Sequence, residues 1–131
     1  MRRVARELVF KLVFEYTFYG VANDGTLELL LADADLTDDD KEYIANTYAG
    51  VLANEESLKK TIEANLDSYT LDRIYRPDLA VLLLATYELG EKTAPVPVII
   101  NEAVELSKKY GTDKSGAFVN GVLAKVAKAI N

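Results

Sequence analysis

Residues 77–90 read PDLAVLLLATYELG, and this stretch decides the fold. Its central part, 79–87, carries no charge and is apolar on almost every side, which is typical of a helix buried all round. Pro77 suits the first turn of a helix, and Gly90 is typical of a helix end. The stretch is too short to span a bilayer. We therefore predict a core helix around which the rest of the chain packs.

Apolar residues recur at helical spacing on both sides of this segment. The spacing predicts helices over about 4–19, 26–32, 38–66 with a restart near 54–57, 97–110 and 114–130. Gly20 and Gly111 are expected to end helices, and Thr37 or Asp38 and then Asp113 to cap them. No strand is predicted. We expect an all-α fold, a compact bundle of six to seven helices in two packed three-helix halves divided near 71–76.

Composition limits the chemistry that this chain can perform. Its 131 residues suffice for one domain, 1–131, with a substantial core. It contains no Cys and no His, so thiolate nucleophiles, Cys-based zinc sites and the usual general base are excluded. Phosphate-loop, dinucleotide and EF-hand motifs are missing. The acidic run 38–40 is best explained by the dipole of a helix start. We predict a binding protein without enzyme activity, metal or cofactor.

Charge is unevenly distributed along the chain. The net charge of −6 disfavours nucleic-acid binding on average. However, residues 1–11 carry four cations against one acid, whereas 24–42 carry eight acids against one lysine. The four cations are Arg2, Arg3, Arg6 and Lys11. The start lacks the apolar core of a targeting signal, so a cytoplasmic, non-membrane protein is expected.

The arginines would share one side of a helix end, where guanidinium groups can bind successive phosphates and stack on unpaired bases. Arginines at a helix start also oppose the helix dipole, so a compensating ligand is expected. The alternative is a solvated, frayed terminus. The RNA-binding interpretation requires that these groups are held out and are not neutralised by the protein's own carboxylates.

Two further segments are unusual. Residues 115–123, SGAFVNGVL, place two glycines in a helix, and Gly116 and Gly121 are expected to mark close approach of another backbone. Asn120 needs an internal hydrogen bond if it is buried. Tyr87 and Glu88 end the buried helix, where they either make structural hydrogen bonds or contact a partner protein.

Four motifs in these segments resemble the NusB family of bacterial transcription antitermination factors, and they occur in the family's order. They are RVARE at 3–7, ATYEL at 85–89, VIINEAVEL at 98–106 and FVNGVL at 118–123. The resemblance implies an all-helical RNA- and protein-binding domain. Such a protein binds single-stranded boxA leader RNA with the ribosomal protein NusE. RNA polymerase in the resulting antitermination complex reads through terminators in ribosomal RNA operons.

The resemblance also implies roles for individual residues. RNA contacts fall on Arg2, Arg3, Arg6, Lys11, Phe118 and Asn120, and NusE contacts on Tyr87 and Glu88. The chain departs from the family pattern at Ala117, Ala124 and Phe14, where a lysine, an acid and a tyrosine are usual.

The sequence leaves three alternative functions. The first is a protein-interaction domain that forms a homodimer by burying the arginine face. The second is an RNA methyltransferase, which the missing glycine-rich cofactor loop disfavours. The third is a membrane-surface helix, which the acidic body disfavours.

Overall fold

The fold consists of helices throughout the part of the chain that the computed structural model describes, residues 2–67 and 70–130. There are seven α-helices in these ranges and a single 3-10 turn at Leu71–Arg73. The helices are α1 (Arg2–Tyr19), α2 (Asp24–Leu31), α3 (Asp38–Ala53), α4 (Glu55–Ala64), α5 (Arg76–Glu91), α6 (Val96–Tyr110) and α7 (Ser115–Ile130). The predicted all-α class is confirmed.

Helix α5 is the central element, as the sequence predicted. Its residues 80–86 are all buried, and it packs against α1, α3, α4, α6 and α7. The helix does not end at Gly90, however. It continues to Glu91, and Lys92 closes it in the left-handed conformation, with φ of 56° and its N–H donating to the carbonyl of Glu88.

Helices α1, α3 and α4 precede the 71–73 turn, and α5, α6 and α7 follow it. Because α5 contacts helices on both sides, the buried apolar residues of the two halves form one core cluster. This packing brings the start of α1 between α3 and α6, which positions the basic residues described below.

Apart from the helix end at Gly90, the helix boundaries agree with the sequence except at one N-terminal cap. Thr37 caps α3, where its hydroxyl accepts from the backbone N–H of Asp40 at 3.1 Å. The long helix expected over 38–66 is split at Asn54, near the predicted restart. Asp113 does not cap α7, which begins two residues later. Local bonds to the hydroxyls of Thr112 and Ser115 organise this turn instead.

Candidate nucleic-acid interface

Arg2 and Arg3 project from the first turn of α1 towards carboxylates on two neighbouring helices. Arg2 Nη2 donates to Asp39 Oδ2 at 2.7 Å, and Arg3 Nε donates to both oxygens of Glu102 at 3.1 Å. The expectation of guanidinium groups without internal partners is therefore wrong. The sequence could not show this pairing, because Asp39 and Glu102 come close to the two arginines only after α3 and α6 pack beside α1.

These two ion pairs are nevertheless accessible to solvent. The side chain of Arg3 is 69% exposed, and its bonds to Glu102 lie at the surface. An exposed ion pair contributes only about 0–1 kcal/mol to stability. A phosphate oxygen can therefore replace the carboxylate at small cost. We call Arg2 and Arg3 the arginine arm.

Arg6 belongs to the interior instead. It is 7% exposed, and its Nε and Nη2 donate to the carboxylate of Glu88 at 2.9–3.2 Å. Glu88 is fully buried and also accepts from the hydroxyls of Tyr43 and Thr93. The expectation of an exposed Arg6 is wrong, because burial and pairing already satisfy its charge. Of the two interpretations of Glu88, the structural hydrogen bond is the one observed.

Tyr43 connects this buried pair to the arginine arm. The Arg2 guanidinium lies 4.0 Å from the centre of the Tyr43 ring, and the hydroxyl of that ring donates to Glu88. Burial raises the pKa of Tyr43, and the nearby charge of Glu88 raises it further. The tyrosine therefore stays protonated as a donor. Sequence analysis missed Tyr43, since nothing in its local spacing indicates contacts with two other helices.

Lys11 lies farther along α1 on an exposed surface. No carboxylate within the described ranges lies within ion-pair distance of its amine. Its neighbour Glu7 is occupied by other donors, since Lys109 Nζ donates to Glu7 Oε2 at 2.8 Å and Tyr110 donates to the same oxygen. Lys11 is therefore the cation on this helix whose charge is least neutralised.

A groove of about 610 Å³ adjoins the arginine arm. Its lining includes Arg2, Arg3 and Tyr87. Tyr87 is half-buried, and its ring lies so close to Gly50 that a Cβ there would be 2.1 Å from the Tyr87 hydroxyl oxygen. The fold thus brings the residues expected to contact RNA and a residue expected to contact the partner to one surface.

Phe118 and Asn120 are not brought together. Phe118 is half-buried and borders a depression with Leu66 and Lys125, whereas Asn120 is exposed in a groove between α6 and α7 beside Lys108. Residues two apart on a helix point about 160° away from each other. The two side chains therefore cannot hold the same nucleotide. Because Asn120 is exposed, the condition for its internal hydrogen bond is not met.

The glycines of α7 do not mark backbone contacts. A Cβ on Gly116 would meet side-chain atoms of Lys108 and Val104 at 3.5 Å or more, and one on Gly121 would meet nothing within 4 Å. The prediction of close backbone approach is wrong at both positions. Helix α7 instead packs through buried residues such as Val119 and Leu123.

Comparison with known proteins identifies the family. The model of the NusB family matches residues 3–128. The chain belongs to the NusB family. It is 40% identical to the transcription antitermination protein NusB of Acetivibrio thermocellus, over 97% of this chain and 88% of that relative. The resemblance found in the four sequence motifs is thereby confirmed.

Solved NusB structures share the fold. T. maritima NusB superposes with a TM-score of 0.88 at 37% identity, covering 98% of this chain and 91% of that one. A second match, at a TM-score of 0.86 and 26% identity, comes from a crystal structure of antitermination factors NusB and NusE in complex with dsRNA. It covers 98% of this NusB-family chain and 96% of the matched chain.

None of the helices in ranges 2–67 and 70–130 has the length and apolarity needed to cross a membrane. The same residues contain no group of three or more acidic side chains arranged to hold a metal ion.

Proposed function

We propose that this NusB-family chain is a non-enzymatic, cytoplasmic transcription antitermination factor. It forms one domain that binds single-stranded boxA-type leader RNA together with NusE, within an RNA polymerase complex that reads through terminators in ribosomal RNA operons. The observation that carries this proposal is the arginine arm, whose ion pairs are exposed and whose groove also contains Tyr87. Family membership over residues 3–128 supports it.

RNA binding starts with an exchange of partners at the arm. Phosphate oxygens take the places of Asp39 and Glu102, and the freed carboxylates return to water. On single strands each neutralised phosphate adds about 0.7 to the slope of log K against log salt. Arg2, Arg3 and Lys11 together would give a slope of about 2. The arm alone therefore binds RNA weakly.

NusE compensates for this weakness by supplying a second RNA-binding surface. Two linked surfaces raise the overall affinity because the second contact forms at a high effective concentration. Tyr87 is the residue proposed to contact NusE, and its position in the lining of the same groove as Arg2 and Arg3 supports this. Glu88 supports that surface from beneath, through Arg6 and Tyr43. Phe118 and Asn120 are proposed as separate, more distant RNA contacts.

A binding titration tests the proposal. A fluorescent boxA-type single strand is titrated with the chain alone and with an equimolar mixture of the chain and NusE. We expect weak binding to the chain alone, strong enhancement by NusE, and poor competition by a duplex of the same sequence. Equal affinity with and without NusE would contradict the proposal.

The same samples test the homodimer that buries the arginine face. Light scattering is recorded against protein concentration, with and without RNA. We expect RNA not to change the number of protein chains in each particle. A dimer that RNA dissociates would show that the arm also serves self-association.

A further inference from the structure

Phe18 and Tyr19 are exposed at the end of α1 far from the arginine arm, Tyr19 at 73%. Phe18 is 55% exposed, and Tyr75, immediately before α5, is 53% exposed. Aromatic rings of this size normally contribute to stability by burial, so exposed ones that lie near each other can mark an interaction site. Arg76 links Phe18 and Tyr75, because it follows Tyr75 in the chain and its guanidinium lies 4.5 Å from the centre of the Phe18 ring.

The ring of Phe18 is held in a defined position. Phe14 packs against it edge-on, with centroids 5.0 Å apart and an angle of 87° between the planes. Arg76 is itself fixed, because its guanidinium donates to the backbone carbonyl of Thr17. A ring that is anchored by two neighbours but more than half exposed offers a preorganised stacking surface. We call Phe18, Tyr75 and Arg76 the aromatic platform.

The platform lies on the same side of α1 as the cations that begin the RNA path. Arg3, Lys11 and Phe18 fall within about 80° of helix rotation, and 1.5 Å per residue places Phe18 about 22 Å beyond Arg3. All three side chains are exposed. A strand leaving the arm along this face passes Glu7, which is paired with Lys109, then Lys11, and reaches the platform next.

The chemistry of the platform favours a single-stranded nucleic acid over a protein. Planar rings beside cations are the composition of sites that bind single strands, where bases stack on the rings and the cations follow the backbone. The segment 72–76 contributes Arg73 and Arg76 against one acid, Asp72, although the chain as a whole is acidic. An apolar protein surface would gain nothing from these charges.

We propose that the RNA strand held by the arginine arm continues along α1 and stacks a base on Phe18. Lys11 neutralises a phosphate between the two sites, Arg76 holds the ring in position, and Tyr75 flanks the stacked base. This inference rests on the proposed RNA binding at the arm. It extends that function by a second contact on a different part of the chain.

Fluorescence gives a direct test, because the chain contains no tryptophan. The Phe18→Trp variant carries a single reporter that keeps a stacking face. It is titrated, with NusE present, with a short boxA-type strand and with strands extended by about six nucleotides at either end, a length within the usual range for single-strand sites. We expect one extended strand, and not the short one, to quench the tryptophan emission. The Leu29→Trp variant, at a position 77% exposed on α2, is the control and should not respond.

Affinity provides the second readout. Stacking of one base predicts that the extended strand binds the unmodified protein roughly 5- to 150-fold more tightly than the short strand. The Phe18→Leu and Tyr75→Leu variants should reduce that gain and leave binding of the short strand unchanged. Thermal unfolding confirms that both variants fold, and Phe18→Tyr should retain the gain.

The outcomes separate this inference from the function on which it rests. If the short strand binds but neither extension adds affinity or quenching, base stacking on the platform is refuted, while RNA binding at the arginine arm still stands. If the Phe18→Leu variant keeps the full gain in affinity for the extended strand, the strand follows another path and the inference is wrong. Quenching by NusE alone would show that the platform is a protein contact instead. If no RNA binds, the proposed function itself fails.

Discussion

Arg6 and Glu88 form an ion pair in the interior of the protein, with Nη2 and Oε2 2.9 Å apart and both side chains almost fully buried. The pair joins α1 to α5, and the hydroxyls of Tyr43 and Thr93 occupy the remaining acceptor sites of the carboxylate. Arg6, which the sequence suggests as an RNA-binding residue, thus has a structural role. We expect Arg6 to affect RNA binding only indirectly, through the position of the first helical turn.

Replacing Arg6 should destabilise the fold. Arg6→Ala leaves a buried carboxylate without its cation, and breaking such a pair costs about 3–5 kcal/mol. Urea unfolding monitored by circular dichroism measures the loss. The sequence predicts Arg6 as an RNA contact held out from the fold, and the structure gives it this structural role instead. Arg3→Ala is the matched control and should cost less than about 1 kcal/mol. An Arg6→Ala variant as stable as the control would refute the structural role.

Replacing Arg3 should affect RNA binding and spare stability. Because the Arg3 guanidinium is mostly exposed, Arg3→Ala removes a phosphate contact without opening the core. The slope of log K against log salt, measured with a single-stranded boxA RNA, should fall by about 0.7. Lys60→Ala, at an exposed cation on α4, is the control and should leave the slope unchanged. An unaltered slope in Arg3→Ala would remove this residue from the interface.

Substitution by alanine should have opposite effects on the free energy of unfolding at Gly50 and at Gly90. A Cβ on Gly50 would lie 2.1 Å from the Tyr87 oxygen, so the ring must leave α3 or the helices must separate. We expect Gly50→Ala to lower the free energy of unfolding by about 1–3 kcal/mol and to weaken NusE binding through the displaced Tyr87.

The Gly90→Ala variant is the control for this effect. A Cβ on Gly90 meets nothing within 4 Å, and alanine favours the helix by about 0.5–1 kcal/mol. Urea unfolding and a NusE pull-down on both variants make the comparison. Equal stability of the two would show that Tyr87 does not depend on contact with Gly50.

Stability should depend on the ionisation of Glu7. Hydrogen bonds from Lys109 and then Tyr110 hold the pKa of Glu7 below its ordinary value of 4.5. Since the folded state favours the carboxylate, its contribution is complete above pH 4.5 and is lost as the pH falls through the lowered pKa. We expect Glu7→Gln to be less stable than the unmodified protein at pH 7, by about 1 kcal/mol.

This difference should shrink on acidification towards pH 3. Thermal unfolding at a series of pH values measures it. Glu105→Gln is the control, because Glu105 faces Lys108 at a longer 3.8 Å and both side chains are largely exposed. If the Glu7→Gln difference stayed constant with pH, the ionised form of Glu7 would not be the one that stabilises the fold.

The elements of this fold were predictable because their signals are local. The uncharged run 79–87, the Thr37 cap and the restart near Asn54 all depend on residues within a few positions of one another. The same holds for the four family motifs, which identified the family before any contact was known. At Asp113, where the predicted cap was wrong, neighbouring hydroxyls supplied the local hydrogen bonds instead.

The sequence alone therefore determined that the chain is all-helical, that 79–87 forms its centre, and that basic groups concentrate on the first helix. Only the tertiary structure decided what those groups do. It buried Arg6 against Glu88, 82 positions away, left Arg3 at the surface beside Glu102, and set Arg76 on Phe18. Periodicity reports which face of a helix is apolar, but an ion pair or a ring contact also depends on the helix that packs opposite. Which helix packs opposite is determined by the packing of the whole core.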